Sequence, residues 1–318
     1  MLQPIRRLRP TSVASSLLFA SFVAPQKQKQ QPYSGMAAQT TTEDTPSSTW
    51  KTRPYVPRHA SWPYSEADFA RQDPTPDTSF YDTPRFVTHI DEEAIASLRS
   101  YYDAVLPRKG RVLDLCSSWV SHYPPDIEKA AAAPGGGVVV TGMGMNREEL
   151  AANRVLNGGR IIVDLNEQPD VGRALGENDG ATRDTSVGGT THEKDKFDAS
   201  TLVVSIDYLI HPVEVLRSLR DVTRDGGVVH LTISNRCFPT KAIARWLRID
   251  EEERLQMVGD FLHFAGWKKI EIVELSNGQA EKSDPPQGGL LNSLFGVMGV
   301  GHRDPLWVVR GVKVNDHS

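Results

Sequence analysis

The sequence predicts one α/β domain built on a seven-stranded, doubly wound and mostly parallel sheet with helices on both faces. Three observations carry that expectation. Short apolar runs alternate with segments of helical periodicity, the order that builds βαβ units. The runs are nearly continuous in apolar residues instead of alternating, as strands covered on both faces require. No helix separates the last two runs, which puts an antiparallel hairpin at one end of the sheet.

The elements follow in order. Asp91 is the N-cap of a helix to about Leu106, with Ile95, Leu98, Tyr102 and Val105 at helical spacing and Pro107 as its stop. Residues 111–115 (RVLDL) are the first strand and 137–141 (GVVVT) the second. Asn146 opens a helix, with Glu149 three residues on to complete a capping box, before the Asn157-Gly158-Gly159 breaker. Residues 160–165 make the third strand and 199–206 the fourth; a helix over 212–222 then leads into the fifth, 228–233. A helical pair is expected over 240–265, closed by Gly266. Residues 268–275 alternate as a strand, and a Gly-rich loop over 276–304 precedes the last strand, 306–314. Residues 169–196, rich in Gly, Asp and Thr without periodicity, read as a surface insertion.

Upstream, the composition changes twice. The first 42 residues contain no Asp or Glu but carry Arg6, Arg7, Arg9, Lys27 and Lys29. This is targeting chemistry. Its apolar run, residues 13–24, is too short to span a ~30 Å hydrocarbon core, and ASFVAP resembles a plastid-type cleavage motif. Residues 1–49 are therefore an expected leader and disordered linker addressed to a plastid or mitochondrion, unless translation starts at Met36 and the product stays in the cytoplasm. Residues 50–84, with rings such as Trp50, Tyr55 and Trp62 set between prolines, suit an arm laid on the domain of residues 85–315.

Composition narrows the function. The chain has 318 residues, 39% hydrophobic and 24% charged, which excludes collagen-like, coiled-coil and multispanning membrane classes. Lys plus Arg number 36 against 40 Asp plus Glu, so no global basic field exists to hold a nucleic acid. Cys116 and Cys237 are the only cysteines, too few for a disulfide framework or a Cys-rich zinc site, and no metal is expected. P-loop, G-x-S-x-G and H-E-x-x-H patterns are absent.

In a doubly wound sheet a ligand lies beyond the carboxyl ends of the strands, beside the switch in strand order. Polar residues gather at five such ends: 114–119, 142–146, 164–166, 207–211 and 234–239. The segments DTPRFVTHID, VLDLCSSWVSHYP, VTGMGMNREELAANRVL, IIVDLN, SNRCFPTKAIARWL and DPLWVVRGVKV resemble class I S-adenosylmethionine-dependent methyltransferases. More narrowly, they are similar to a group of methyltransferase-like proteins from plastid-bearing, fungal and bacterial lineages. The resemblance runs over about residues 80–314, excepting 169–196 and 278–303.

That resemblance implies the class I methyltransferase fold, S-adenosyl-L-methionine as cofactor and a small-molecule acceptor. Asp114 matches the acid of the family's D-x-G-x-G-x-G loop, but Cys116, Ser118 and Val120 stand at its glycines. Glycines there let backbone N–H groups approach the cofactor. Ser117 and Ser118 hydroxyls would take over that contact, with Trp119 and His122 lining the pocket. The family's ribose acid aligns with Gly144, leaving Gly142 and Asn146 as contacts, the latter in competition with its capping role. Asp164, Leu165 and Asn166 match the adenine-binding acid and its neighbours. Asp207 and Tyr208 are the catalytic candidates, Asp207 as base or orienting group and Tyr208 as wall or donor. Arg236, with Asn235 and His122, is the substrate-binding candidate, Arg236 for an anionic acceptor; His89 and His122 are candidate proton shuttles. Against each stands a packing or surface role. Two other functions compete: a non-catalytic methyltransferase-like binding protein, motivated by the lost glycines and acid, and an NAD(P)-binding oxidoreductase using Gly142 and Gly144, whose third glycine position holds Arg147.

Overall fold

The computed structural model describes residues 50–133, 135, 137–178, 195–278 and 304–315. The expected leader and linker, and most of the 169–196 and 278–303 stretches, lie outside the described residues. Eight strands form one sheet: β1 (Lys51–Pro54), β2 (Gly110–Leu115), β3 (Val138–Gly144), β4 (Gly159–Ile162), β5 (Phe197–Val203), β6 (Thr223–Ser234), β7 (Lys268–Ser276) and β8 (Leu306–Val312). Their order is β1-β7-β8-β6-β5-β2-β3-β4. β2 to β6 run parallel, and β8 lies antiparallel between β6 and β7.

Helices cover both faces. Alternate residues of β2 point to opposite sides: Val112 packs in a cluster with Ile95, Leu98 and Ile127, and Leu113 in another with Leu216, Val258 and Phe261. The first three belong to α3 (Glu92–Val105) and α4 (Pro125–Ala132), the second three to α7 (Pro212–Val222) and α8 (Glu251–Phe264). Val112 and Leu113 are both fully buried, which is why the strand reads as a continuous apolar run. Asp91 caps α3 by accepting the N–H of Ala94. From β2 the chain moves outward through β3 to β4, then returns to β5 on the other side of β2. That reversal opens a crevice at the carboxyl ends of β2 and β5.

Three elements differ from the sequence expectation. The eighth strand, β1, is polar (KTRP) and owes its extended form to antiparallel pairing with β7. The expected insertion opens with a helix, α6 (Val171–Asn178), which packs beside α7 through Val171 and Ala174. The expected helical pair is the single helix α8; the N–H groups of Ile243, Ala244 and Arg245 donate instead to the carbonyls of Asp207, Ala70 and Asp68, so that stretch binds the arm and no helical ladder forms.

Residues 50–84 are anchored by polar groups. Beyond β1, the hydroxyls of Tyr55 and Tyr64 donate to the two carboxylate oxygens of Asp260 on α8, a fully buried acid. After the short helices α1 (Glu66–Phe69) and α2 (Asp77–Phe80), Arg71 grips Asp77 at 2.7 and 2.8 Å, and Lys241, 1% exposed, reaches the same carboxylate at 3.3 Å. This network fixes residues 77–90 beside the crevice.

Candidate functional site

A cavity of about 360 Å³ lies over the carboxyl ends of β2 to β6. One wall is the 114–122 loop after β2; the others come from 143–146, 163–166, 203–205 and 236–238, with residues 85 and 87–90 closing the near side.

The loop after β2 is held by side chains where the resemblance expects glycines. Asp114 is buried and accepts from Ser117 Oγ (2.6 Å), Ser121 Oγ (2.7 Å) and Thr201 Oγ1 (2.9 Å). Burial raises its pKa and those hydroxyl donors oppose the rise. Ser118 Oγ donates to Glu149 at 2.7 Å, so both serine hydroxyls are spent on the protein. Cys116 has φ +50°, the left-handed region a glycine adopts without strain. Burial pushes its thiol up to about 12, with the charges of Asp114, Asp164 and Asp207 adding, so it is not a nucleophile at neutral pH. His122, at φ +55°, is 7% exposed and faces the cavity with Nδ1 lacking a hydrogen-bond partner. Burial pushes its pKa down to about 4, the nearby Arg99 and His89 assisting.

At the end of β3, a Cβ on Gly144 would collide with the backbone carbonyl of Ser117. The missing acid is thus a steric requirement of this loop. Gly142 does not line the cavity: it sits inside β3, where a Cβ would meet Leu156 Cδ1 at 2.5 Å. The dinucleotide alternative loses its first glycine by the same fact. Asn146 lines the cavity, but its Oδ1 caps α5 (Arg147–Ala152) through the N–H groups of Glu148 and Glu149, and its Nδ2 donates to the carbonyls of Tyr81 and Asp82. The expected capping box is half made. Glu149 turns away from Asn146 to accept from the Arg85 N–H (2.6 Å) and Ser118, and becomes part of the cavity wall.

Past β4, Asp164 is half-buried on the wall, Leu165 lies beneath it, and Asn166 is consumed by bonds to Asp77, the Tyr208 carbonyl and the Ile210 N–H. Burial raises the Asp164 pKa and the Asn166 N–H opposes it.

Around β5 the candidates separate. Tyr208 lines the cavity and accepts the Phe238 N–H at 2.8 Å, with burial holding its hydroxyl protonated. Asp207 does not reach the cavity. The single turn at Ile206–Tyr208 directs it into the protein, where Oδ2 has no partner and burial lifts its pKa to about 8. Val204, a β-branched residue at φ +41°, marks a strained backbone on the wall between them. Asn235 is exposed and outside the cavity, whereas Arg236 lines it but gives its Nε to Asp304 at 2.8 Å.

Residues 77–90 add Arg85 and the candidate proton shuttle His89 to the cavity wall. Arg85 has its guanidinium 4.4 Å from the Phe80 ring, with Tyr81 and Phe238 at 5.8 and 5.7 Å. Its Nη1 is buried without a hydrogen-bond partner. His89 packs edge-on against Phe238. Trp119 also lines the cavity, its Nε1 donating to the Val87 carbonyl at 3.1 Å. The signal in the sequence was an arginine and a histidine inside DTPRFVTHID, a motif placed before the first core helix.

No protein-family model and no curated protein matches this sequence. Among solved structures, the chain is similar to a SAM-dependent methyltransferase from Archaeoglobus fulgidus, at 11% identity over 70% of this chain and 95% of that one, TM-score 0.41. It is likewise similar to a TehB-like SAM-dependent methyltransferase from Corynebacterium glutamicum (12% identity, 70% and 87% coverage, TM-score 0.34) and to the [4+2]-cyclase SpnF (13%, 74% and 91%, TM-score 0.41). The fold rests on the sheet itself: a doubly wound parallel sheet with a reversed strand between β6 and β7 is the class I methyltransferase fold, extended here by β1.

Proposed function

We propose that the protein is an S-adenosyl-L-methionine-dependent methyltransferase acting on a small molecule in an organelle. One observation carries the reading: the cavity opens at the switch in strand order, with the half-buried carboxyl of Asp164 on its wall at the end of β4. An acid there accepts from an exocyclic amine, and Leu165 offers an apolar surface to a flat base. A volume of about 360 Å³ suits a small ligand. Asp164 fits the adenine end of the cofactor; along the 115–118 loop the serine hydroxyls are already bonded to the protein, and the ribose end meets no strand-end acid.

The bound cofactor supplies an electrophilic methyl group on a sulfonium. The chain supplies alignment, which accounts for much of the acceleration in such transfers. Asp114 holds the loop through three hydroxyls, and residues 77–90 with Trp119 limit access of water. Asp114 is committed to those hydroxyls and Asp207 lies off the cavity, so neither serves as general base. His122, its pKa lowered by burial and its Nδ1 unpaired, stands on the wall as a neutral imidazole and a weak base. An acceptor that is already nucleophilic fits this arrangement.

A non-catalytic binding protein is the second reading, supported by the serine hydroxyls tied back to protein groups and by the blocked position 144. Titration calorimetry of the full chain with S-adenosylmethionine, S-adenosylhomocysteine and NADPH tests the cofactor, and release of S-adenosylhomocysteine with candidate acceptors tests catalysis. Heat with both sulfur nucleotides and a loss of about tenfold in affinity for Asp164→Ala, or ~1.4 kcal/mol, is the expected result. Silence with both, or heat with NADPH, rejects it; binding without turnover across acceptors favours the second reading.

A further inference from the structure

We infer that the part of the cavity between residues 85–89 and Phe238 is an anion subsite built on Arg85 and His89, and that the acceptor is a carboxylate on an apolar or aromatic body. The inference deepens the methyltransferase reading and rests on it.

Arg85 is an unusual cation. A guanidinium carries five N–H donors and stays charged in proteins, so burying one of its nitrogens without a partner is costly. Nη1 of Arg85 is buried and unpartnered, and no carboxylate among the described residues forms an ion pair with this side chain. Glu149 accepts the Arg85 backbone N–H and the Ser118 hydroxyl. Arg236 offers the contrast on the same cavity, since its guanidinium is neutralised by Asp304. The unpaired donor therefore belongs to Arg85, which lies against Phe238, two residues from Arg236.

A second orphan lies on the same cavity. His122, 7% exposed, also lines the cavity with an unpartnered Nδ1, and His89 lies close enough for its charge to be felt by His122. A neutral imidazole with its proton on Nδ1 donates to a carboxylate oxygen.

The surroundings specify the rest of the ligand. Phe80, Tyr81 and Phe238 flank the guanidinium, and Tyr208 packs at 6.1 Å from Phe238. Such rings favour an apolar or flat body next to the charge. Of the cavity-lining rings, Tyr208 and Phe238 stand past β5 and β6 and Tyr81 comes from the arm, whereas Asp164 and Leu165 stand past β4. Arginine binds a carboxylate through two parallel N–H···O bonds, which fixes orientation as well as energy.

Two sources could present that carboxylate, the acceptor or the amino-acid end of the cofactor, and the experiment separates them. Calorimetry on the full chain would use trans-cinnamate, its neutral counterpart trans-cinnamamide, S-adenosylhomocysteine and 5′-methylthioadenosine, which lacks the amino-acid end. Arg85→Gln and Arg85→Lys would be measured in parallel, with thermal melting as the control for folding. In the unaltered chain, cinnamate should bind about tenfold or more tighter than cinnamamide. Arg85→Gln should erase that preference and Arg85→Lys keep part of it, with both sulfur nucleotides binding as before. Equal binding of cinnamate and cinnamamide to the unaltered chain, a comparison that needs no variant, overturns the subsite. Weaker S-adenosylhomocysteine with unchanged 5′-methylthioadenosine in Arg85→Gln overturns the acceptor assignment and gives Arg85 to the cofactor. If cinnamate selectivity holds while neither sulfur nucleotide binds, the anion subsite stands and the methyltransferase reading falls.

Discussion

The backbone carbonyl of Ser117 fills the space into which any side chain at residue 144 would project, and the Ser117 N–H donates to the Met143 carbonyl at 2.6 Å. The loop after β2 and the end of β3 are thereby interlocked. Gly144→Asp, the change that would restore a strand-end acid, should destabilise the fold by about 1–3 kcal/mol and weaken S-adenosylhomocysteine binding. Thermal denaturation and calorimetry check this; a variant that melts like its parent and binds more tightly would refute the interlock.

Asp207 combines a partnerless buried oxygen with a pKa raised from 3.8 to about 8 by burial. Above 3.8 the unfolded carboxyl loses its proton while the folded one keeps it, so stability falls as pH climbs toward 8. Asp207→Asn removes that loss. It should raise the melting temperature at pH 8, by about 2–4 °C for each kcal/mol recovered, and change it little at pH 4. Ligand affinity should not move, because Asp207 lies outside the cavity.

The opposite sign holds for His122. Its pKa falls from 6.5 to about 4, so the folded state binds a proton less readily than the unfolded chain. The resulting stability is present above 6.5 and is lost as pH falls toward 4. His122→Asn, chosen because Asn tolerates the positive φ of this residue, should flatten the decline in urea midpoint between pH 6.5 and 4.5. His230, pushed down to about 3 and hydrogen-bonded to Tyr101, remains in both proteins and sets the residual slope. An identical decline in parent and variant would show that His122 does not contribute.

Tyr55 and Tyr64 supply both donors to the buried Asp260. Tyr64→Phe leaves one carboxylate oxygen without its bond, at a cost of about 1–3 kcal/mol. Tyr55→Phe should do the same, and the double variant should lose less than the sum, since both act on one group. Chemical denaturation reads all three; strict additivity would mean that the tyrosines do not share Asp260.

The interior of the sheet was legible because both its faces are covered, so runs such as GVVVT and RVLDL carry their burial in composition. Asp91 was legible as a cap because the helix behind it is long and periodic. β1 was not, since KTRP contains no apolar preference and becomes a strand only against β7. Asp164 was legible as a cavity-wall residue because it follows an apolar run at a strand's carboxyl end. Asp207 was misassigned because one tight turn, Ile206–Tyr208, decides which of two adjacent side chains faces the cavity. No local pattern could reveal that Ser117 excludes a side chain from position 144, or that Arg85 lies against Phe238 from the other end of the chain.

The pairing of β1 with β7 sets an order of events during synthesis. Lys51 meets Glu274 across 223 residues, so one of the first segments to leave the ribosome waits for one of the last. Contacts of such long range close late and slow folding. Residues 77–90 do not share that wait, because their ties run to Lys241, Asn166 and Asn146, all made before β7. A nascent or truncated chain ending before β7 would therefore keep the 77–90 wall of the cavity while residues 51–54 stay unpaired at the edge of the sheet.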